Sequence, residues 1–118
     1  MPNIFDFDLL YRRTVNETAG SADPHYIKLG RVGARKLRFL SHVTVENKTH
    51  DYTKLRIGID NGRVLHYFDE LTTIVADELA VSRSDIQLGE GDVFFAELTG
   101  ITTGDKLVMT CIGWDRGL

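Results

Sequence analysis

Apolar and polar positions alternate along most of this chain, and turn residues punctuate the alternation at short intervals. Asn61-Gly62 lies between Leu55-Arg56-Ile57-Gly58-Ile59 and Val64-Leu65-His66-Tyr67-Phe68. Such a pair supplies the two positive-φ residues of a type I′ turn, so the two runs predict a β-hairpin. Upstream, Leu37, Phe39, Val43 and Val45 share one face of a strand against Lys36, Arg38, His42, Thr44 and Glu46 on the other. The polar turn Asn47 to Asp51 then predicts a three-strand meander, with Val43 opposite Leu55, Phe39 opposite Ile59, His42 opposite Arg56 and Arg38 opposite Asp60. Across the Asn61-Gly62 turn, Ile59 is expected to face Val64, Ile57 to face His66 and Arg56 to face Tyr67. This face predicts a core of Phe39, Val43, Leu55, Ile57, Ile59, Val64 and Phe68, with His66 as a neutral, hydrogen-bonded core histidine.

The same reading extends to both ends. Phe5, Phe7, Leu9 and Tyr11 alternate with Asp6, Asp8, Leu10 and Arg12, which predicts a half-buried strand or arm over 1–14. Val15 to His25 is rich in Asn, Thr, Gly, Ser, Asp and Pro and reads as a long loop, and Tyr26 to Leu29 as a short strand. Residues 69–80 are ambiguous. Leu71, Val75 and Leu79 recur at helical spacing, but Thr72, Thr73, Ile74 and Val75 are β-branched and favour two short strands over a short helix. Ile86 to Leu88 adds a strand. From Leu88 to Trp114 a Gly/acid turn (Gly89 to Asp92), an apolar run, a Thr/Gly turn (Thr99 to Asp105) and a second apolar run predict one long antiparallel hairpin. The sum is an all-β, antiparallel, jelly-roll-like sandwich of about eight strands.

That last hairpin is apolar on both faces. Phe94, Ala96 and Leu98 alternate with Val93 and Phe95, and Leu107, Met109 and Cys111 with Val108, Ile112 and Trp114. A small sandwich covers one face of each sheet, so Val93, Phe95, Val108, Ile112 and Trp114 are the candidate interface, expected to be covered by the N-terminal strand or by another protein.

The 118 residues suffice for one domain, and the net charge of −3 argues against global attraction to nucleic acid or an anionic membrane. Arg31, Arg35, Lys36 and Arg38 form a local basic cluster that reads as a solvated strand edge. The first residues carry no secretory pattern and Cys111 is the sole cysteine, so a cytosolic, reducing compartment is expected and the sequons at Asn16 and Asn47 are read as chance.

Catalytic and metal chemistry find no constellation. His25, His42, His50 and His66 are scattered without metal-ligand spacing, and no Gly-x-Ser-x-Gly turn presents a nucleophile. Cys111 lies in an apolar strand, where burial makes a thiol inert. Gly89-Glu90-Gly91-Asp92 lacks the third glycine and the helix of a dinucleotide loop, and Glu90, Asp92 and Asp105 would hold Ca²⁺ only if separate turns converged. No enzyme activity, cofactor or metal is expected.

The cadence of Thr44-Val45-Glu46-Asn47-Lys48-Thr49, Leu55-Arg56-Ile57-Gly58-Ile59, Ile86-Gln87-Leu88-Gly89-Glu90-Gly91-Asp92, Phe95-Ala96-Glu97 and Gly104-Asp105-Lys106-Leu107 resembles small β-sandwich structural proteins of tailed bacteriophages, over Leu37 to Gly113. The resemblance implies a non-enzymatic virion component that decorates heads, joins heads to tails or builds tails. It also implies partners among its own copies and other virion proteins, with assembly in the host cytoplasm. The alternative is a carbohydrate-binding module using Tyr52, Tyr67 and Trp114.

Overall fold

The computed structural model describes residues 9–82 and 85–117. Its strands are β1 (Leu9–Thr18), β2 (His25–Lys28), β3 (Lys36–Asn47), β4 (Tyr52–Asp60), β5 (Leu65–Ile74), β6 (Ala80–Ser82), β7 (Ile86–Leu88), β8 (Val93–Thr99) and β9 (Lys106–Gly117). Sheet I runs β1-β9-β3, with β6 and β7 following one another along the free side of β3; sheet II runs β2-β8-β4-β5. Every pairing is antiparallel. With β6 and β7 taken as one interrupted strand, each sheet has four members and most connections cross from one sheet to the other, the jelly-roll form of the β-sandwich.

Alternation explains the core. Val43 and Val45 of β3, Leu55 and Ile57 of β4, Phe94, Ala96 and Leu98 of β8, and Leu107, Met109 and Cys111 of β9 belong to one buried cluster between the sheets. Leu40, Ile86 and Leu88 extend it along β3 and β7. The ambiguous segment is strand throughout its regular parts: β5 runs to Ile74, a turn follows, and β6 begins at Ala80. Thr73 and Asp77 take φ of 56° and 66° where the chain leaves β5 and turns.

Several expectations change. The meander and the long terminal hairpin do not form, because β3 pairs with β9 while β4 pairs with β8 and β5. The turns after Asn47 and Thr99 are arches between sheets. Only the Asn61-Gly62 reversal joins neighbours, with Ile59 opposite His66 and Asp60 opposite Leu65. Asp60 and Asn61 hold that turn by accepting from the backbone N–H of Gly62, Arg63 and Val64 at 2.8–3.0 Å. A bulge between Ile57 and Gly58 then shifts the register. Residues 15–18 belong to β1 rather than to a loop.

The core list changes with the topology. Val43, Leu55 and Ile57 are buried and Ile59 is half-buried, but Phe39 stands half-buried on the outer face of sheet I. Val64 (55%) and Phe68 (42%) are exposed, and so is His66, which meets Asn61 at 3.1 Å rather than a core partner. β5 is an edge strand facing only the short β6 and β7, so sheet I is too narrow there to cover it. Phe5 and Phe7 lie outside the described residues.

Candidate assembly surfaces

The five candidate interface residues separate, because β8 and β9 belong to different sheets. Val108, Ile112 and Trp114 stand on the outer face of sheet I, where register sets Leu10 opposite Trp114 and Trp114 opposite Phe39. The next outward row is Arg12, Ile112 and His42. Leu10 is 76% exposed, Ile112 41% and Trp114 38%, and the Trp114 and Phe39 rings lie 6.3 Å apart. Farther along, Thr14 and Thr110 meet at 3.2 Å, so the outer face turns polar. The patch is thus confined to one end of sheet I.

Val93 and Phe95 lie on sheet II and are not exposed. Phe95 is fully buried although it points away from the intersheet core. Tyr26 and Tyr67 meet it edge-on from β2 and β5, at centroid distances of 5.9 and 5.5 Å. A side chain at Gly58 would put Cβ 2.8 Å from the Phe95 ring and 2.5 Å from the His66 carbonyl, so glycine there leaves room for the ring. Above it, Tyr67 donates to Glu97 at 2.5 Å, and Arg56 stacks 3.6 Å from the Tyr67 ring centre while reaching Glu97 (3.7 Å) and Glu70 (3.4 Å). The hydrogen bond to Glu97, aided by burial, raises the Tyr67 pKa. This self-contained cluster closes the outer face of sheet II.

A third region is the free edge of the sandwich. Of the eleven exposed large hydrophobic residues among those described, Val64, Leu65, Phe68, Leu71, Val75 and Leu79 fall within one run of chain. Beside it a cleft of about 280 Å³ opens between the sheets, lined by Ile59, Phe68, Asp85, Ile86 and Gln87.

The expected chemical groups serve structure. Arg38 is buried on a central strand, bonded through Nε and Nη2 to both oxygens of Asp115 (2.8 and 3.1 Å) and stacked 3.9 Å from the Tyr11 ring centre. Arg31 and Arg35 are exposed in the segment before β3, with Arg31 donating to the Gly91 carbonyl, so of the basic cluster only Arg38 is withdrawn from solvent. Burial pushes the Cys111 thiol up to about 12. Tyr52 is buried and its hydroxyl has no hydrogen-bond partner among the described residues. Asp92 accepts from the Gly89 N–H and Glu90 from the Arg35 N–H at one end of β8, whereas Asp105 is buried in the arch beyond the other end. The three carboxylates therefore do not converge, and among the described residues no three His, Cys, Asp or Glu stand where they could hold a metal ion.

Pattern reasoning missed the Asp105 cluster. Asp105 accepts from Asn47 Nδ2 (2.7 Å), the Thr102 N–H (2.8 Å) and His50 Nδ1 (2.5 Å), and Asn47 Oδ1 accepts from the N–H groups of Thr49 and His50. This ties the β3–β4 arch to the β8–β9 arch. The signal was Asn47 at the head of a polar turn, where Asx geometry is common.

No family model and no curated protein matches the chain. Solved structures match by fold. A chain of the Bacillus endospore appendages, a family of disulfide-linked pili, superposes with a TM-score of 0.51 at 10% identity, covering 94% of this chain and 88% of that one. The Drosophila NLP core, described for pentamer formation and histone binding, gives 0.47 at 14% identity over 88% and 96%. The Podospora anserina GH26-CBM35 β-(1,4)-mannanase gives 0.43 at 12% identity over 92% of this chain and 28% of that one. At these identities the likeness is one of fold: the protein is an antiparallel β-sandwich.

Proposed function

We propose that this chain is a non-enzymatic structural subunit working in repeated copies, as a head-decorating, head–tail joining or tail component of a phage-like particle assembled in the host cytoplasm. The observation that carries the reading is the contiguous apolar end of sheet I, where Leu10, Trp114 and Phe39 form one row and Ile112 begins the next. Scattered exposed apolar residues are ordinary, but a contiguous group marks a surface that meets another protein. The sequence cadence supplies the phage-like part, and the structural ties of Arg38, Asp105 and Cys111 favour a non-catalytic role.

A sugar platform would set an exposed aromatic face among amides and carboxylates. Here Trp114 is flanked by Leu10 and Ile112, Tyr52 is buried, and Tyr67 lies under Arg56. The test is solution mass across a concentration series for the wild type and Trp114→Lys. The wild type is expected to form a discrete oligomer, and the variant to keep its circular dichroism spectrum while running as a monomer. A wild type that stays monomeric and is retained on an insoluble polysaccharide, with retention lost in Trp114→Ala, would overturn the reading in favour of carbohydrate binding.

A further inference from the structure

Two edge strands of the sandwich, β1 and β5, differ in charge and match in height. β1 ends sheet I and β5 ends sheet II on the opposite side. The exposed start of β1, residues 9–14, carries Leu9 and Leu10 (69% and 76% exposed) with Arg12 and Arg13 and no carboxylate. Among the described residues neither arginine is paired with a carboxylate. The opposite edge, residues 64–79, carries Asp69, Glu70, Asp77 and Glu78 and has no Lys, Arg or Pro of its own, although Arg56 of the neighbouring β4 reaches Glu70 at 3.4 Å. It also holds the apolar side chains Val64, Leu65, Phe68 and Leu71, and so lacks the basic residues and prolines that usually keep an edge strand from pairing.

The heights follow from the register. Leu10, Trp114, Phe39 and Gln87 form one row across sheet I, and Gln87 lines the same cleft as Ile59 and Phe68 of sheet II. Moving along both sheets in the same direction leads from Leu10 to Arg12 and Arg13 on one edge and from Phe68 to Asp69 and Glu70 on the other. An apolar step followed by a cationic step therefore stands level with an apolar step followed by an anionic step.

We infer that copies of this chain associate head to tail, the β1 edge of one (Leu9, Leu10, Arg12, Arg13) seated against the β5 edge of the next (Leu65, Phe68, Asp69, Glu70). This rests on the self-assembly reading and specifies its symmetry. A two-fold contact through either edge would set like charges together, whereas alternating edges pair cation with anion. A heterologous contact of this kind closes into a ring or continues as a filament. The Leu10 row joins the β1 edge to the apolar end of sheet I, so both belong to one surface.

The test reverses charge on one edge at a time. Arg12→Glu with Arg13→Glu, and separately Asp69→Lys with Glu70→Lys, are each expected to run as monomers at concentrations where the wild type is assembled. Mixing the two variants one to one is expected to restore assembly, because each altered edge then meets its complement. Either double variant assembling alone like the wild type overturns the inference while leaving self-assembly standing; a monomeric wild type overturns both. Circular dichroism controls folding, and an oxidative cross-link supplies a readout independent of charge. With Cys111 buried, Leu10→Cys combined with Leu65→Cys is expected to give a ladder of covalent multimers, and each single variant no covalent dimer. Covalent dimers from Leu10→Cys alone would show a two-fold contact and overturn the inference.

Discussion

Asp105 concentrates the chemistry of a single residue in this fold. Burial alone raises its pKa, but hydrogen bonds from the Asn47 side chain, the Thr102 N–H and His50, together with the His50 charge, outweigh burial and leave it lowered. A carboxyl whose folded pKa is depressed contributes stability that is present above its unfolded pKa and lost as pH falls through the folded value. Denaturant midpoints should therefore hold from neutral pH down to the ordinary carboxylate range and fall below it, with Asp105→Asn flattening that part of the profile. Asn47→Ala leaves the buried carboxylate without its side-chain amide donor and should cost about 1.5–3 kcal/mol at neutral pH, read from the same midpoints. If Asn47→Ala is silent, the arches are held by something else. Sequence reading placed Asn47 in the polar turn, whereas it is the last residue of β3, and missed its partner, because nothing local links positions separated by most of two sheets.

At the scale of elements, strand existence was legible and strand partnership was not. Turn residues and alternation marked every strand from β2 to β9 and favoured strands over a short helix in 69–80 without deciding between them, but a turn signal does not state whether the chain returns beside itself or crosses to the facing sheet. β8 illustrates the consequence. Its double-faced apolar pattern suggested an exposed second face, yet Tyr26, Tyr67 and the Arg56–Glu97 pair cover Phe95 from within the same chain. Phe95→Ala should thus behave as a core truncation, losing about 3–5 kcal/mol by chemical denaturation. Ile112→Lys, on the exposed face of β9, should remain within about half a kcal/mol of wild type as a monomer. Equal losses for the two would return Phe95 and Ile112 to one environment. Glycine carries a further element-scale constraint, since a Cβ at Gly113 would lie 1.7 Å from the Phe39 carbonyl oxygen, beside the register shift between Leu40 and His42. Gly113→Ala must displace backbone of the central β3–β9 pair, so a drop in melting temperature larger than that of Gly62→Ala, where glycine stands in open space at a φ of 94°, is expected.

For the whole molecule, the order of strands separates folding from assembly. The first strand pairs with the last, β2 with β8, and β3 with β9, so sheet II is incomplete until β8 arrives and sheet I until the C-terminal β9 does. Pairings so distant in sequence make folding slow, on the order of milliseconds to seconds. Once formed, however, the core is closed by the chain's own residues: Phe94, Leu98, Leu107, Met109 and Cys111 are fully or almost fully buried without a second copy. The surfaces left over for assembly are the apolar end of sheet I and the β1 and β5 edges. Assembly should therefore join subunits that are already folded. On dilution, solution mass should fall to that of the monomer while the circular dichroism spectrum stays unchanged, and the melting temperature should rise with protein concentration only in the range where the mass rises. Spectrum and mass collapsing together on dilution would mean that copies complete one another's cores, and the head-to-tail contact between finished sandwiches would have to be replaced by an exchange of strands.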